Sequence, residues 1–339
     1  MPKKWVGFDM DECVGNVVPL YTFLMEFVYS YDNYNSSLKP VFETLSRKLF
    51  ESENEGKTWL IRQSMHNALR ELYRAQTTGA IHGAFLYSNN GNPELVSFIG
   101  YLLNRFVQII YGLRKLPVLF KMCVWHGAPS RKKTGLAKNY AGIQDSLDYY
   151  ELPTCSCPSD LLFFDDLLHE LAHETPNYVQ VPAYSYYTDV HALAEVFMEF
   201  FIPDMFEQVY GMAISQMEDD RRTERSYIFR RPTDEESRAE INLFTGPLQS
   251  FLWDRALRGA QQLRKTRCRD VVRQGNKDVG NIEMPVIPPQ TSLSSVNTYT
   301  SWPGGVDPTA ALYRHSGGLR RRTQRRRRAT RRHRNTRRK

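Results

Sequence analysis

Three short apolar segments of the chain each end in polar residues that could bind a cation or an anion. The polar residues are Asp9 and Asp11 after the first segment, Ser88 and Asn89 after the second, and Asp165 and Asp166 after the third. Short apolar runs of this kind are typical of buried strands, and the carboxyl ends of parallel strands lie at one edge of a sheet. We therefore expect the four carboxylates to converge, which is unfavourable unless a cation neutralises them. Ligands that are all oxygen favour a hard ion, and we expect Mg²⁺.

Hydrogen-bond donors accompany these carboxylates. The Ser88 hydroxyl, the backbone amides after it and a lysine from the basic loop Ser130–Lys138 could together hold an anion. A free carboxylate in the same cluster could act as a nucleophile. A metal ion, anion-binding donors and a nucleophile together predict phosphoryl transfer.

The segments that must position these residues alternate between strand and helix patterns. We predict strands over Lys4–Phe8, Ala84–Tyr87, Val118–Trp125, Leu161–Phe164 and Tyr178–Val181, and helices over 14–78, Glu94–Phe106, Asn139–Leu147, His191–Phe201 and Gly246–Leu263. Between residues 59 and 72, apolar residues recur at steps of three and four, which is typical of an amphipathic helix. Strands that alternate with helices predict an α/β fold, in which a parallel sheet has helices on both faces.

The C-terminal part of the chain has a different composition. Beyond about residue 280, five prolines stand among Ser, Thr, Asn and Gly, which predicts a linker without a core. Residues 320–339 contain twelve Arg and one Lys and no acidic residue. We predict a catalytic domain over 1–190, a helical extension over 191–280, and a disordered linker with an Arg-rich tail over 281–339.

Most of the positive charge lies in this tail. The formal net charge of the whole chain is +8, whereas the first 319 residues hold 32 basic and 37 acidic residues and therefore carry −5. A dense block of Arg cannot form a core, and counterion release would give it salt-sensitive, non-specific affinity for nucleic acid. We expect residues 320–339 to bind nucleic acid or to act as a nuclear-localisation signal. Their Arg/Thr-rich composition resembles that of termini of proteins from large DNA viruses.

Composition also argues against membrane insertion and secretion. No apolar stretch approaches the roughly 18–20 residues of a membrane helix. The N-terminal apolar run is shorter than the roughly 7–15 residues of a signal-peptide core. Five scattered cysteines, of which only Cys155 and Cys157 are close in sequence, favour a reducing compartment. We expect an intracellular protein of the host cytoplasm or nucleus, or a virion-associated one, without a membrane partner.

Four segments of the chain, in order, resemble the motifs of the haloacid dehalogenase (HAD) superfamily of phosphohydrolases. The first motif, an apolar strand followed by Asp-x-Asp, matches Val6–Cys13, with Cys13 where Thr or Val is usual. The second, a strand that ends in Ser or Thr, matches Phe85–Asn89, and the fourth, an apolar strand that ends in Asp-Asp, matches Leu161–Asp166. The third is a Lys before a helix. The resemblance covers roughly residues 4–185, and it implies a HAD-like Rossmannoid sheet and a phosphatase.

The resemblance implies a role for each matched residue. Asp9 would form an aspartyl-phosphate, and Asp11 would protonate the leaving oxygen and then activate water. Ser88, Asn89 and the lysine of the third motif would bind phosphate. Asp9, Asp11 (through its backbone carbonyl), Asp165 and Asp166 would hold Mg²⁺. The substrate would be a phosphomonoester that the motifs do not identify.

Two points stay open within this resemblance. Lys132, Lys133 and Lys138 all lie in the loop of the third motif, and we favour Lys138 because it directly precedes the predicted helix. The helical stretch 15–78 lies where many HAD proteins insert a cap over the active site. It could equally be a pair of scaffold helices.

Two other functions compete with the phosphatase. His169-Glu170-Leu171-Ala172-His173 matches H-E-x-x-H, in which two His on one helix face bind Zn²⁺ and the Glu activates water, and Glu195 could be a third ligand. We rank this zinc peptidase lower because Pro176 would break the helix close to the second His. The other alternative is a catalytically idle HAD-like domain that serves as a nucleic-acid-binding or virion-associated protein.

Overall fold

A sheet of five parallel strands forms the centre of the protein. The computed structural model describes residues 4–33, 38–131, 137–223 and 227–253. The strands are β1 (Trp5–Phe8), β2 (Gly83–Tyr87), β3 (Phe120–Val124), β4 (Leu161–Asp165) and β5 (Tyr178–Gln180). Their order across the sheet is β3-β2-β1-β4-β5. The predicted α/β fold with a parallel sheet is confirmed, and each predicted strand is present to within two residues at either end.

Helices cover both faces of this sheet. Their bounds are α1 (Val18–Asn33), α2 (Leu38–Asn54), α3 (Gln63–Thr77), α4 (Pro93–Ile110), α5 (Tyr140–Tyr149), α6 (Leu171–Glu174), α7 (Val190–Phe197), α8 (Pro203–Arg222), α9 (Asp234–Ala239) and α10 (Thr245–Trp253). Phe8 and Phe164 belong to a large core with α1–α4, α7, α8 and α10. Trp5 and Phe163 face the opposite side, where Ile143 of α5 completes a smaller core. Because both faces are buried, β1 and β2 consist of uninterrupted apolar residues, as does β4 up to Asp165.

The stretch predicted as helical over 14–78 is divided into three helices. The break between α2 and α3 contains Gly56, whose φ of +67° ends α2 in the left-handed region that favours glycine. The following segment pairs with the turn after β1: Ile61 forms a bridge with Gly15, and the Arg62 amide donates to the Val14 carbonyl at 3.0 Å. Helices α1–α3 contribute to the same core as the sheet, so their packing supports the turn that carries Asp11.

The helices after residue 190 differ in length from their predictions. Helix α7 ends at Phe197, earlier than predicted, and a 3₁₀ turn (Met198–Phe200) follows it. Helix α8 was not predicted, although its apolar residues recur at steps of three and four and pack on the larger core (Met205, Phe206, Val209, Tyr210, Ala213, Ile214 and Met217). Helix α10 begins as predicted, and the part of its prediction beyond residue 253 lies outside the described residues, as do the linker and the tail.

The chain before α10 packs directly on the centre of the sheet. The Phe244 ring makes edge contacts with Phe8 at 5.7 Å and with Phe164 at 5.1 Å between centroids. These two residues immediately precede Asp9 and Asp165, so this packing stabilises the ends of β1 and β4. Within the described part of the chain, every helix is too short or too polar to span a membrane.

Two glycines in helix interiors should respond oppositely to the same substitution. A Cβ at Gly100 of α4 would lie 2.3 Å from the Cys123 Sγ on β3, whereas a Cβ at Gly211 of α8 would meet no atom within 4 Å. We expect Gly211→Ala to raise the free energy of unfolding by up to about 1 kcal/mol through helix propensity. We expect Gly100→Ala to lower it by about 1–3 kcal/mol, because the clash forces α4 from the sheet.

Urea unfolding followed by circular dichroism measures both effects. The double variant Gly100→Ala/Cys123→Ala removes the clashing sulfur and should recover most of the loss. Equal stability of the two single variants would contradict the close packing of α4 on β3.

Candidate active site at the carboxyl edge of the sheet

The candidate site lies where the strand order changes direction. The chain runs outward from β1 through β2 to β3, and β4 then returns to the other side of β1. Ligands of open α/β sheets bind beyond the carboxyl ends of the strands at such a point. The register pairs Phe8 with Phe164, and the Asp9 amide donates to the Phe164 carbonyl at 2.8 Å. Asp9 and Asp165 therefore lie side by side on adjacent strands, as predicted from the ends of the apolar runs.

Lys138 forms ion pairs with both of these carboxylates. Phe8 and Phe164 face the larger core, so the alternation of side chains turns Asp9 and Asp165 toward the side of α5. The Lys138 Nζ, just before α5, lies 2.7 Å from the Asp9 Oδ1 and 2.8 Å from the Asp165 Oδ2. Asp9, Lys138 and Asp165 are 7%, 2% and 0% exposed. The three charges form one buried cluster.

The position of Lys138 follows from local structure around it. Its carbonyl accepts a hydrogen bond from the Leu171 amide at 2.9 Å, and the next residue, Asn139, caps α5 through the Gly142 amide at 2.8 Å. Burial alone would lower the pKa of Lys138, but Asp9 and Asp165 outweigh it and raise this pKa, so the ammonium stays charged. The other two lysines considered for the third motif, Lys132 and Lys133, lie outside the described residues.

Asp166 adds a third carboxylate to the cluster. Asp9, Asp165 and Asp166 can each offer an oxygen such that all three oxygens lie within 4.8 Å of one another. Burial, with the charges of Asp9 and Asp165, raises the pKa of Asp166 to about 7. Among the described residues, no other group of His, Cys, Asp and Glu has this metal-binding geometry. The donor set is carboxylate oxygen only, which fits a hard cation such as Mg²⁺.

Asp11 lies in the turn that follows β1. The Asn90 Nδ2 donates to the Asp11 Oδ2 at 3.1 Å, whereas the Asp11 Oδ1 is buried and accepts no hydrogen bond from the described residues. Burial and the charge of Asp9 raise the pKa of Asp11 to about 6. Glu12, at a φ of 59°, donates its amide to the Gly15 carbonyl and closes the turn. The side chain of Asp11 is therefore held in place by the loop after β2, and its backbone is held by the turn after β1.

The residues after β2 are those that the sequence predicts to bind an anion. Ser88 is 1% exposed, and its Oγ accepts a hydrogen bond from the Asn90 amide at 3.0 Å. The next side chain, Asn89, is held by Arg131, whose NH2 donates to the Asn89 Oδ1 at 2.8 Å. The hydrogen bond from Asn90 to Asp11 links this loop to the turn after β1. The structure thus brings the predicted Ser88 and Asn89 to the same edge as Asp9, Asp11, Asp165, Asp166 and Lys138.

Arg131 and Asn90 were missed by sequence reasoning. Arg131 stands at the start of the run Arg131-Lys132-Lys133, which is typical of a solvated basic loop, yet its side chain is 1% exposed. No signal in the local sequence separates it from the lysines that follow. Asn90 was visible as part of the polar cluster after β2, but only folding brings its amide to Asp11.

The H-E-x-x-H pattern does not fall on one helix. Helix α6 spans only Leu171–Glu174, so His169 lies before it and the two His do not share a helical face. His169 instead places its Nε2 3.6 Å from the Asp165 Oδ2, while Glu170 and His173 are exposed. The third ligand considered, Glu195, is exposed on α7. His169 is therefore a neighbour of the aspartate cluster.

Comparison with known proteins identifies no relative of this chain. No family model, no curated protein and no solved structure matches the chain. What the site can do is therefore inferred from its own residues and from the resemblance of its four motifs to the HAD pattern.

Mg²⁺ should bind the aspartate cluster of the chelator-treated full-length protein and stabilise it. At a concentration one hundredfold above the Kd, binding should add about 2.7 kcal/mol to the free energy of unfolding. Asp165→Asn should abolish this gain, because it removes one ligand and leaves Lys138 to compete for Asp9. Thermal unfolding and isothermal titration calorimetry measure both effects.

The control is Asp148→Asn, which alters an exposed carboxylate on α5. An equal response of the two variants to Mg²⁺ would argue against a metal site here.

Proposed function

We propose that this protein is a Mg²⁺-dependent phosphohydrolase that cleaves a phosphomonoester through an aspartyl-phosphate on Asp9. The observation that carries the proposal is the buried position of Asp9, beside Asp165 and Asp166 and in contact with Lys138. The proposed nucleophile, the proposed metal ligands and the ammonium of Lys138 therefore lie together at the carboxyl edge of the sheet, where the strand order changes direction. The motifs that resemble those of the HAD superfamily all lead to this one edge, which supports the same chemistry.

The metal ion would be held by the carboxylates of the cluster. Asp9, Asp165 and Asp166 would be ligands, and the resemblance implies the backbone carbonyl of Asp11 as another. When bound, Mg²⁺ supplies positive charge that offsets the carboxylates and polarises the phosphoryl oxygens. The chain's own part is to hold these oxygens in place, through the register of β1 with β4.

Asp9 and Asp11 would carry out the covalent chemistry. An oxygen of Asp9 attacks phosphorus, the ester P–O bond breaks, and Asp11 gives its proton to the leaving oxygen. In the second half, Asp11 takes a proton from water, the water oxygen attacks phosphorus, and the bond to Asp9 breaks to release phosphate. Asp11 suits both steps, because Asn90 binds only its Oδ2 and its Oδ1 is left to carry the proton.

Ser88, Asn89 and Lys138 would bind the phosphoryl group. The Ser88 Oγ already accepts a hydrogen bond from Asn90, so its own hydrogen can be donated to a phosphoryl oxygen. Lys138 orients Asp9 through its Oδ1 and adds positive charge next to the reacting atoms. Preorganised donors of this kind stabilise charge that develops in the transition state.

The two other functions stay as alternatives that can be tested. A zinc peptidase is less supported, because His169 precedes α6 and Glu170 and His173 are exposed. An idle HAD-like domain that binds nucleic acid, or a virion-associated one, would depend on the charge of residues 320–339. In that case, salt-sensitive nucleic-acid binding would survive Asp9→Asn and be lost on removal of residues 320–339.

Hydrolysis of phenyl phosphate by the full-length protein tests the proposal. We expect turnover in Mg²⁺, none after chelation, and a loss of about 10³-fold or more in kcat for Asp9→Asn, because the nucleophile is gone. Glu170→Gln and Asp148→Asn should leave the rate unchanged. Acid-quenched wild-type protein should carry a phosphate that hydroxylamine releases, as an acyl-phosphate does.

Two results would overturn the proposal. Turnover that persists in Asp9→Asn, with Mg²⁺ still required, would exclude Asp9 as the nucleophile. Tightly bound zinc together with peptide cleavage that depends on Glu170 would establish the peptidase instead.

A further inference from the structure

Arg131 is a buried cation that contacts the anion-binding loop after β2. Its NH1 donates to the Ser88 carbonyl at 2.6 Å and its NH2 to the Asn89 Oδ1 at 2.8 Å. The guanidinium also lies over the Tyr87 ring, with 4.5 Å between its carbon and the ring centroid. Three consecutive residues, Tyr87, Ser88 and Asn89, are thus held by one side chain.

The partners of Arg131 in the described part of the chain do not include a carboxylate. Among the described residues, no carboxylate lies within 4 Å of its guanidinium, so its hydrogen bonds go to neutral oxygens. Such a position is unfavourable for a charge, and the Arg131 Nε is in addition buried without a hydrogen-bond partner among the described residues. Burial lowers the pKa of Arg131, and Tyr87 and the charge of Asp9 oppose this effect.

The two bonds of Arg131 determine which atoms of the loop can reach a ligand. They occupy the Ser88 carbonyl and the Asn89 Oδ1, which are both acceptors. Two side-chain donors of these residues then remain for a ligand, namely the Ser88 hydroxyl hydrogen and the Asn89 Nδ2. The phosphoryl group of a phosphomonoester dianion offers only acceptors, so a carbonyl turned toward it would repel it.

We propose that Arg131 is a positioning residue that turns the acceptors of the Ser88–Asn89 loop away from the site and leaves its donors for a phosphoryl group. The inference rests on the proposed function, because it assigns a phosphoryl ligand to this loop. Arginine suits the role better than lysine, since its planar fork can bind two oxygens at once in a fixed geometry.

Binding of inorganic phosphate in the presence of Mg²⁺ tests this role, together with the kinetics of phenyl phosphate hydrolysis. In Arg131→Ala, the Kd for phosphate and the KM should both rise, by about ten- to a hundredfold, which is the effect of losing charge-assisted hydrogen bonds. Arg131→Lys keeps the charge but not the fork and should fall between wild type and Arg131→Ala. Added guanidinium ion should restore part of the phosphate affinity of Arg131→Ala.

The matched control is Arg105→Ala. Arg105 is also buried, at 7% exposure, but it lies near the end of α4 and binds Gln108, at the opposite edge of the sheet. Its loss should lower stability without changing the Kd of the folded protein for phosphate. If Arg131→Ala fails to fold, Arg131→Lys and its phosphate Kd decide the question.

The outcomes separate this inference from the proposed function. If wild-type protein hydrolyses phenyl phosphate and Arg131→Ala binds phosphate as Arg105→Ala does, Arg131 has no positioning role and the phosphatase stands. If wild-type protein neither binds phosphate nor hydrolyses the ester, the proposed function fails and the role of Arg131 fails with it.

Discussion

The contact of Lys138 with Asp9 and Asp165 is the interaction on which the rest of the site depends. Two carboxylates on adjacent parallel strands, both nearly inaccessible to water, would repel each other strongly without a cation. A buried ion cluster is stable only when its geometry is good and its partners are complete. This requirement fixes Lys138, just before α5, against the carboxyl ends of β1 and β4, so that residues from distant parts of the chain lie in one place.

The packing around the carboxyl edge of the sheet supports this cluster. The larger core holds one face of the sheet, and Phe244 packs on the residues just before Asp9 and Asp165. The turn after β1 is held from two sides, by the Arg62 amide on Val14 and by the Tyr184 amide on Glu12 at 2.6 Å. The polar residues of the site thus stand on short turns whose ends are anchored in packed elements, which limits their motion.

Much of this arrangement could be predicted from the sequence. The apolar runs that end in Asp9, Ser88 and Asp165 identify three strands and the polar residues at their ends, because a strand buried on both faces needs uninterrupted apolar residues. Helix α8 could also have been predicted, since its apolar residues recur at steps of three and four and pack on the larger core, and Gly56 is a typical signal for the end of α2. Arg131 stands in a basic run whose composition predicts solvent exposure, and only its tertiary contacts bury it.

The sequence by itself determined the α/β class and the polar residues at the strand ends on which the proposed chemistry rests, because these depend on residue type and on spacing within a few positions. Tertiary structure decided which polar residues meet. The strand order puts Asp165 beside Asp9, and the fold chooses Lys138 for their partner and buries Arg131 behind Ser88. It also separates His169 from the helix that a zinc motif would need. Local sequence cannot specify such contacts, because residues far apart in the chain make them and burial determines their strength.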